Sequence, residues 1–309
     1  VSFWHHFSPQ QATGQPAVDA HLSHFERYDL DFLKVMNDCH FSRGRLTVAR
    51  NTRDLAQLEV MAGDRVFAGQ LEVLTRLRER LGRDVYMCAT LFNPWAVLRH
   101  LTAPPQEHHA PPTLFAEDQR DETISTMLKE DRQAVKVALA VIAESLAGFA
   151  DECIRAGADG IFLSCRDDWV DRRANAPGTY DEMVRELDWR ILNAASAGTF
   201  NVLHICGRPQ NFAQFARYPV HVINWADRAA GPSLAYARDR VTPTIAGGVC
   251  NFNTLPKGTP EDCAFEVRDA IRQARQRPII VAPGCTYDPQ AVPEENLRAV
   301  VAAARQLTT

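Results

Sequence analysis

Short apolar runs recur along the chain, each followed by a longer stretch in which apolar positions return every three or four residues. The runs at 2–6, 32–36, 85–90, 160–164, 201–205, 220–224, 242–246 and 278–282 are too short for helices and rich in Val, Ile and Phe. They read as eight strands at strand–helix–strand intervals. The segment 131–156 carries Val135, Val137, Leu139, Ile142, Leu146, Phe149 and Ile154 at helical spacing, and 180–197 repeats the pattern. A helix over 261–276 is announced by Thr259 as N-cap, Pro260 at the first helical position and the acids Glu261 and Asp262. A last one, rich in Ala and Arg, covers 293–307.

Eight strands alternating with helices predict an α/β protein, a single (β/α)8 TIM barrel spanning residues 1–309. An open doubly wound sheet is the alternative, but no phosphate-binding glycine fingerprint follows the early strands. The rhythm breaks at 101–121, where Pro104-Pro105, His108-His109 and Pro111-Pro112 mark a long Pro/His-rich loop, a lid over the barrel mouth or a mobile excursion.

Composition adds exclusions. The 46% apolar content supplies a large core, and a net charge of −4 without any Lys/Arg-rich stretch argues against nucleic acid as a partner. No apolar run reaches membrane-spanning length, and residues 1–7 lack the basic start and apolar stretch of a signal peptide. Eight scattered cysteines read as free thiols in a reducing, cytoplasmic setting. Whether the chain pairs as a homodimer is left open.

In a barrel the reacting groups sit where strands end. The first strand offers His5 and His6, the second Asp38 and Cys39, the fourth Cys165, Arg166 and Asp167. The fifth delivers His204 and Cys206, the sixth Asn224 and Asp227, the seventh Gly247-Gly248 and the eighth Cys285. Residues two apart on a strand share a face, so His204 and Cys206 can enter one site. Cys285 lies 79 residues later at the corresponding end of the last strand. An imidazole and two thiolates form a zinc-type set, His204, Cys206 and Cys285, and three protein ligands leave a fourth position for water or substrate. The bland alternative is two buried thiols and a hydrogen-bonded core histidine, since cysteine is among the most buried residue types. Cys39, Cys88, Cys153 and Cys263 fall within predicted elements and read as core. Asp167 and Asp227 are candidate catalytic or orienting carboxylates; His5, Asp38, Cys165, Asn224, Gly247 and Gly248 are candidate substrate-binding positions.

The chain resembles the uroporphyrinogen decarboxylase superfamily through Phe3-Trp4-His5-His6-Phe7, Asp31-Phe32-Leu33-Lys34-Val35, Ala158-Asp159-Gly160-Ile161 and His204-Ile205-Cys206-Gly207. The resemblance continues through Gly247-Gly248-Val249, Gly258-Thr259-Pro260-Glu261 and Pro293-Glu294-Glu295-Asn296-Leu297. It implies a (β/α)8 barrel. It departs from the true decarboxylases in two places: an arginine-rich segment is replaced by residues 3–10, and a C-terminal histidine segment by Pro283-Gly284-Cys285-Thr286. The other branch, the cobamide-dependent methyltransferases, carries the His-x-Cys and distant Cys that match His204, Cys206 and Cys285. That branch implies zinc as cofactor, a methylcobamide carried on a corrinoid partner protein, and a small thiol as methyl acceptor. The alternatives it leaves are a lyase acting on a carboxylated substrate through groups such as Asp38 and Arg166, and a non-catalytic corrinoid- or metal-binding protein.

Overall fold

The computed structural model describes residues 1–38, 41–61, 63–104 and 119–306. Seven strands form one parallel sheet in chain order: β1 (Phe32–Val35), β2 (Tyr86–Phe92), β3 (Gly160–Cys165), β4 (Val202–Ile205), β5 (Val222–Trp225), β6 (Thr244–Val249) and β7 (Ile279–Pro283). Helices occupy the crossovers, among them Arg65–Leu81, Arg132–Arg155 and Pro260–Ala274. The last is opened by a capping box between Thr259 and Asp262, as its sequence predicts.

Strand parity sorts the core into two layers. Leu33, Val35, Met87, Ala89, Ile161, Leu163, Leu203, Ile205, Ile223 and Trp225 pack outward with the helices. Phe32, Cys88, Phe162, Val202, Val222, Ala246 and Ala282, one from each strand, meet with Trp4 in a separate cluster on the other face. A flat sheet cannot do this. Neighbouring strands lie about 4.8 Å apart, so β1 and the entry to β4 would be some 14 Å distant. The rings of Phe32 and Phe200 are instead 5.0 Å apart, and those of Trp4 and Phe162 5.3 Å. The sheet is therefore curled around its inner layer.

The eight-stranded closed barrel expected from the sequence is corrected to this seven-stranded curled sheet. The segment 2–6, expected as the first strand, forms no ladder. Ser2 N donates to Val281 O of β7 (3.1 Å) and Ser2 Oγ to Phe32 O of β1 (2.9 Å), so the segment lies between the two edges. The carbonyls that would continue the pairing are taken elsewhere: Phe3 O contacts His24 Nε2 (2.9 Å) and Trp4 O accepts from Tyr287 N (3.2 Å).

The helix expected over 180–197 is two pieces, Thr179–Met183 and Arg185–Ala194, broken where Val184 leaves helical geometry at φ −124°. The expected loop at 101–121 is bracketed by helices Pro94–Leu101 and Gln119–Glu130; its centre, with His108 and His109, lies outside the described residues, as does Cys39. Among the described residues no helix is long and apolar enough to cross a membrane.

Candidate metal centre

His204 ends the inward face of β4, and Cys206 follows two residues on, just past the strand. Cys206 N donates to Cys165 O (2.8 Å), which carries the β3–β4 pairing one step beyond the ladder and fixes the backbone where the thiol emerges. Cys285 enters from the end of β7 through Gly284, whose Cα faces the main chain at Ala226: a Cβ there would lie 2.4 Å from Ala226 Cα. One ligand-type atom from each of His204, Cys206 and Cys285 lies within 4.8 Å of the others, the only such group of three found among the described residues. His204 is buried; both cysteines are partly exposed.

The imidazole is held in one orientation. Asn224 Nδ2 donates to Ala246 O and Pro283 O, both at 3.0 Å, which turns its Oδ1 toward His204 Nδ1 at 2.6 Å. In the neutral ring His204 Nδ1 then carries the proton and Nε2 the lone pair. A ligand histidine whose other nitrogen is anchored in this way is what a metal site requires. Asn224, expected to bind substrate, instead stands behind the ligand.

The two thiols share electrostatics. Contact with the Cys206 thiol draws Cys285 down to about 7, while that contact and burial push Cys206 up. Two thiols this close, with an imidazole nitrogen alongside, form a donor set matched to a divalent zinc-type ion.

The remaining candidates divide. Asp167 accepts from Gln210 N, Asn211 N and Gln214 Nε2 (2.9–3.1 Å), so it anchors the loop that follows Cys206; burial raises it to about 6. Asp227 accepts from Gly248 N at 2.9 Å and, buried, also rises to about 6. Gly247 and Gly248 open room for Asp227 and Ala270, which lie 2.9 and 2.3 Å from where their Cβ atoms would be. Asp38 accepts from Phe7 N (3.1 Å) and pairs with His6 Nδ1 at 2.6 Å. His5 lines a separate cavity of about 740 Å³ with His24, Tyr28 and Tyr287, between helix Gly14–Arg27 and the C-terminal helix.

Cys165 is a correction. It alternates with Ser164 and falls on the outward face of β3, fully buried, with Sγ 3.4 Å from Asp188 Oδ2. Ser164, not Cys165, pairs with His204 across the ladder, so Cys165 points to the helix side and not to the inward face where it was expected to meet substrate.

Two cations also bear on the site, Arg166, which the strand ends already offered, and Lys34, which they did not. Arg166 pairs with Asp168 (2.5 and 3.0 Å), stacks 4.3 Å over Trp169 and presses on Gly207, where a Cβ would lie 2.4 Å from its Nε. Burial opposes its charge, but Cys206, Asp168 and Cys285 outweigh burial and raise its pKa. Lys34 extends from the inward face of β1 over Phe162 of the inner layer; the alternation with Phe32 was the signal available in the sequence.

A family model for uroporphyrinogen decarboxylase matches residues 45–307, most of the chain. The chain belongs to the uroporphyrinogen decarboxylase family. Among solved structures it resembles a methyltransferase from Methanosarcina mazei, with a TM-score of 0.76 and 18% identity over 99% of this chain and 92% of that one. A B12-independent methionine synthase from a Shewanella species matches at TM-score 0.48 and 13% identity, over 77% of this chain and 66% of that one. No protein of curated function matches the chain in sequence. The family is one whose fold this curled parallel sheet shares.

Proposed function

We propose that the chain is a zinc-dependent methyltransferase of this family, moving a methyl group between a corrinoid carried on a partner protein and a small thiol. The observation that carries the reading is the convergence of His204, Cys206 and Cys285, with Asn224 fixing the imidazole for ligation. The whole-length likeness in fold to a methyltransferase supports the reaction class.

The three residues would hold the ion, leaving a position for substrate. Bound zinc supplies the means to keep a thiol sulfur as thiolate near neutral pH, where a free thiol is mostly protonated. The protein's own part is positional. Asn224 fixes the His204 tautomer that turns Nε2 toward the metal position, Asp167 ties down the loop behind Cys206, and Gly284 lets Cys285 approach beside Ala226. The rival lyase reading needs Arg166 to hold a carboxylate, and Asp168 already occupies that guanidinium.

Elemental analysis of the purified protein tests the proposal. Near-stoichiometric zinc, lost in Cys206→Ser and Cys285→Ser variants that keep the wild-type circular dichroism, is the expected result. Folded, metal-free protein that takes up no zinc would sink it. Transfer is then read by mixing methylcob(III)alamin with a panel of thiols and following cob(I)alamin.

A further inference from the structure

Lys34 is 5% exposed, on the inward face of β1, in register with Cys88 of β2. A buried ammonium loses its hydration at a cost of several kcal/mol unless opposite charge or polarisable groups replace the water. Its close neighbours are soft ones: Met36 Sδ at 2.7 Å, the Phe162 ring centroid at 4.5 Å and the Trp4 ring at 5.8 Å. Among the described residues no carboxylate lies within ion-pair distance of Nζ. The aromatic faces offset part of the desolvation. The rest must come from negative charge farther off.

Burial pulls the lysine down to about 8, while Asp38 beyond β1 and the thiolate forms of Cys88, Cys285 and Cys206 favour its charge. Of these, Cys206 and Cys285 belong to the metal centre, where a bound metal would hold both as thiolates. His21, from helix Gly14–Arg27, faces it as well and is itself held neutral by burial. A second contact joins the same parts: Phe162, under the ammonium, also stacks on the His204 ring at 5.4 Å and 30°. Arg166, the other nearby cation, is matched by Asp168; Lys34 has no such partner among the described residues.

We infer that Lys34 is the counter-charge for a third sulfur anion at the metal centre, a positioning residue that makes the site accept its substrate thiol as thiolate. The inference rests on the zinc reading above. A divalent ion with neutral His204 and two cysteine thiolates sums to zero, and a substrate thiolate brings the site to −1. The Lys34 ammonium restores neutrality within the low-dielectric inner layer of the curled sheet, where an uncompensated anion is costly. Binding then releases the thiol proton to solvent and the sulfur stays anionic. Lys34 keeps its own proton throughout.

The test uses the full chain with cobalt(II) in place of zinc and 2-mercaptoethanol as probe. The sulfur-to-cobalt absorption on thiol addition is titrated against pH in wild type, Lys34→Met and Lys34→Gln. We expect the neutral variants to keep one metal per chain while the midpoint for thiolate binding moves up by about one pH unit or more, the size of shift a nearby opposite charge produces. Two outcomes overturn the inference: an unchanged midpoint in either metal-loaded variant, or no rise in sulfur-to-cobalt absorption above that of the cysteine ligands when the thiol is added to the loaded wild type. Zinc content of the wild-type protein is measured separately. Its absence removes the metal reading itself, whereas intact zinc with an unmoved midpoint removes only the role of Lys34.

Discussion

His204 Nδ1 and Asn224 Oδ1 are 2.6 Å apart, and the Asn224 amide cannot turn because both its protons are spent on Ala246 O and Pro283 O. One side chain thus links three strands, β5 to β6 and β7, and sets the tautomer of a candidate ligand on β4. Replacing it with alanine frees the imidazole to place its proton on Nε2, where it blocks ligation. Asn224→Ala is expected to weaken metal binding about 10–100-fold, measured by competition with a chromophoric chelator. Wild-type affinity in the folded variant would remove the imidazole-orienting role.

Gly284 decides how Cys285 arrives. A methyl group there would meet Ala226 Cα at 2.4 Å and Ala226 Cβ at 2.9 Å, contacts that backbone cannot yield without moving. Gly284→Ala should cost about 1–3 kcal/mol in stability, as overpacking does. Since ligand geometry tolerates only about 0.5 Å of displacement, retention of zinc on dialysis should fall more than the urea midpoint suggests. Equal retention at reduced stability would mean that the strain is absorbed away from Cys285.

Asp167 is expected to act on the site through the chain, by holding residues 210–214 against the end of β3. Asp167→Ala leaves two main-chain N–H groups and the Gln214 amide without their acceptor, a loss of about 1–3 kcal/mol. Asp167→Asn keeps an acceptor oxygen and should recover part of it. Chemical denaturation of the pair against wild type checks the order. If both variants match wild type in stability yet lose thiol transfer, Asp167 touches substrate and the anchoring role is wrong.

Much of this arrangement is legible in the sequence, and the reasons for the rest are physical. His204 and Cys206 declare themselves because strand alternation forces i and i+2 onto one face, and Cys285 because it ends a second strand. Cys165 misleads for the same reason: it follows Ser164 by one, and one residue reverses the face. Lys34 shares a face with Phe32 by alternation, but only the curl of the sheet turns that face of β1 inward. The first expected strand fails on hydrogen bonding that no local pattern encodes, because His24 and Tyr287 claim the carbonyls of Phe3 and Trp4. Long-range partners decide these cases, and periodicity carries no record of them.

The outer face of β3 supplies a last prediction, one about stability. Asp188 is fully buried and accepts from Tyr180 Oη (2.5 Å) and Tyr218 Oη (2.9 Å), with Cys165 at 3.4 Å. Burial raises it to about 7, and the two tyrosine hydroxyls only partly counter that. In the unfolded chain an aspartate titrates near 3.9. Below about pH 4 both states are protonated and the group contributes nothing. Between pH 4 and 7 the unfolded chain ionises while the folded one holds its proton, so stability falls as pH rises, and above 7 the loss is constant. Asp188→Asn removes that proton linkage. The variant should therefore gain on wild type by on the order of 2–3 kcal/mol between pH 5 and pH 8, read from urea unfolding at the two pH values. Because Asp167 and Asp227 titrate identically in both proteins, the difference isolates Asp188. Parallel pH profiles for the two would mean that Asp188 is ionised in the folded protein, its charge carried by the tyrosine hydroxyls alone.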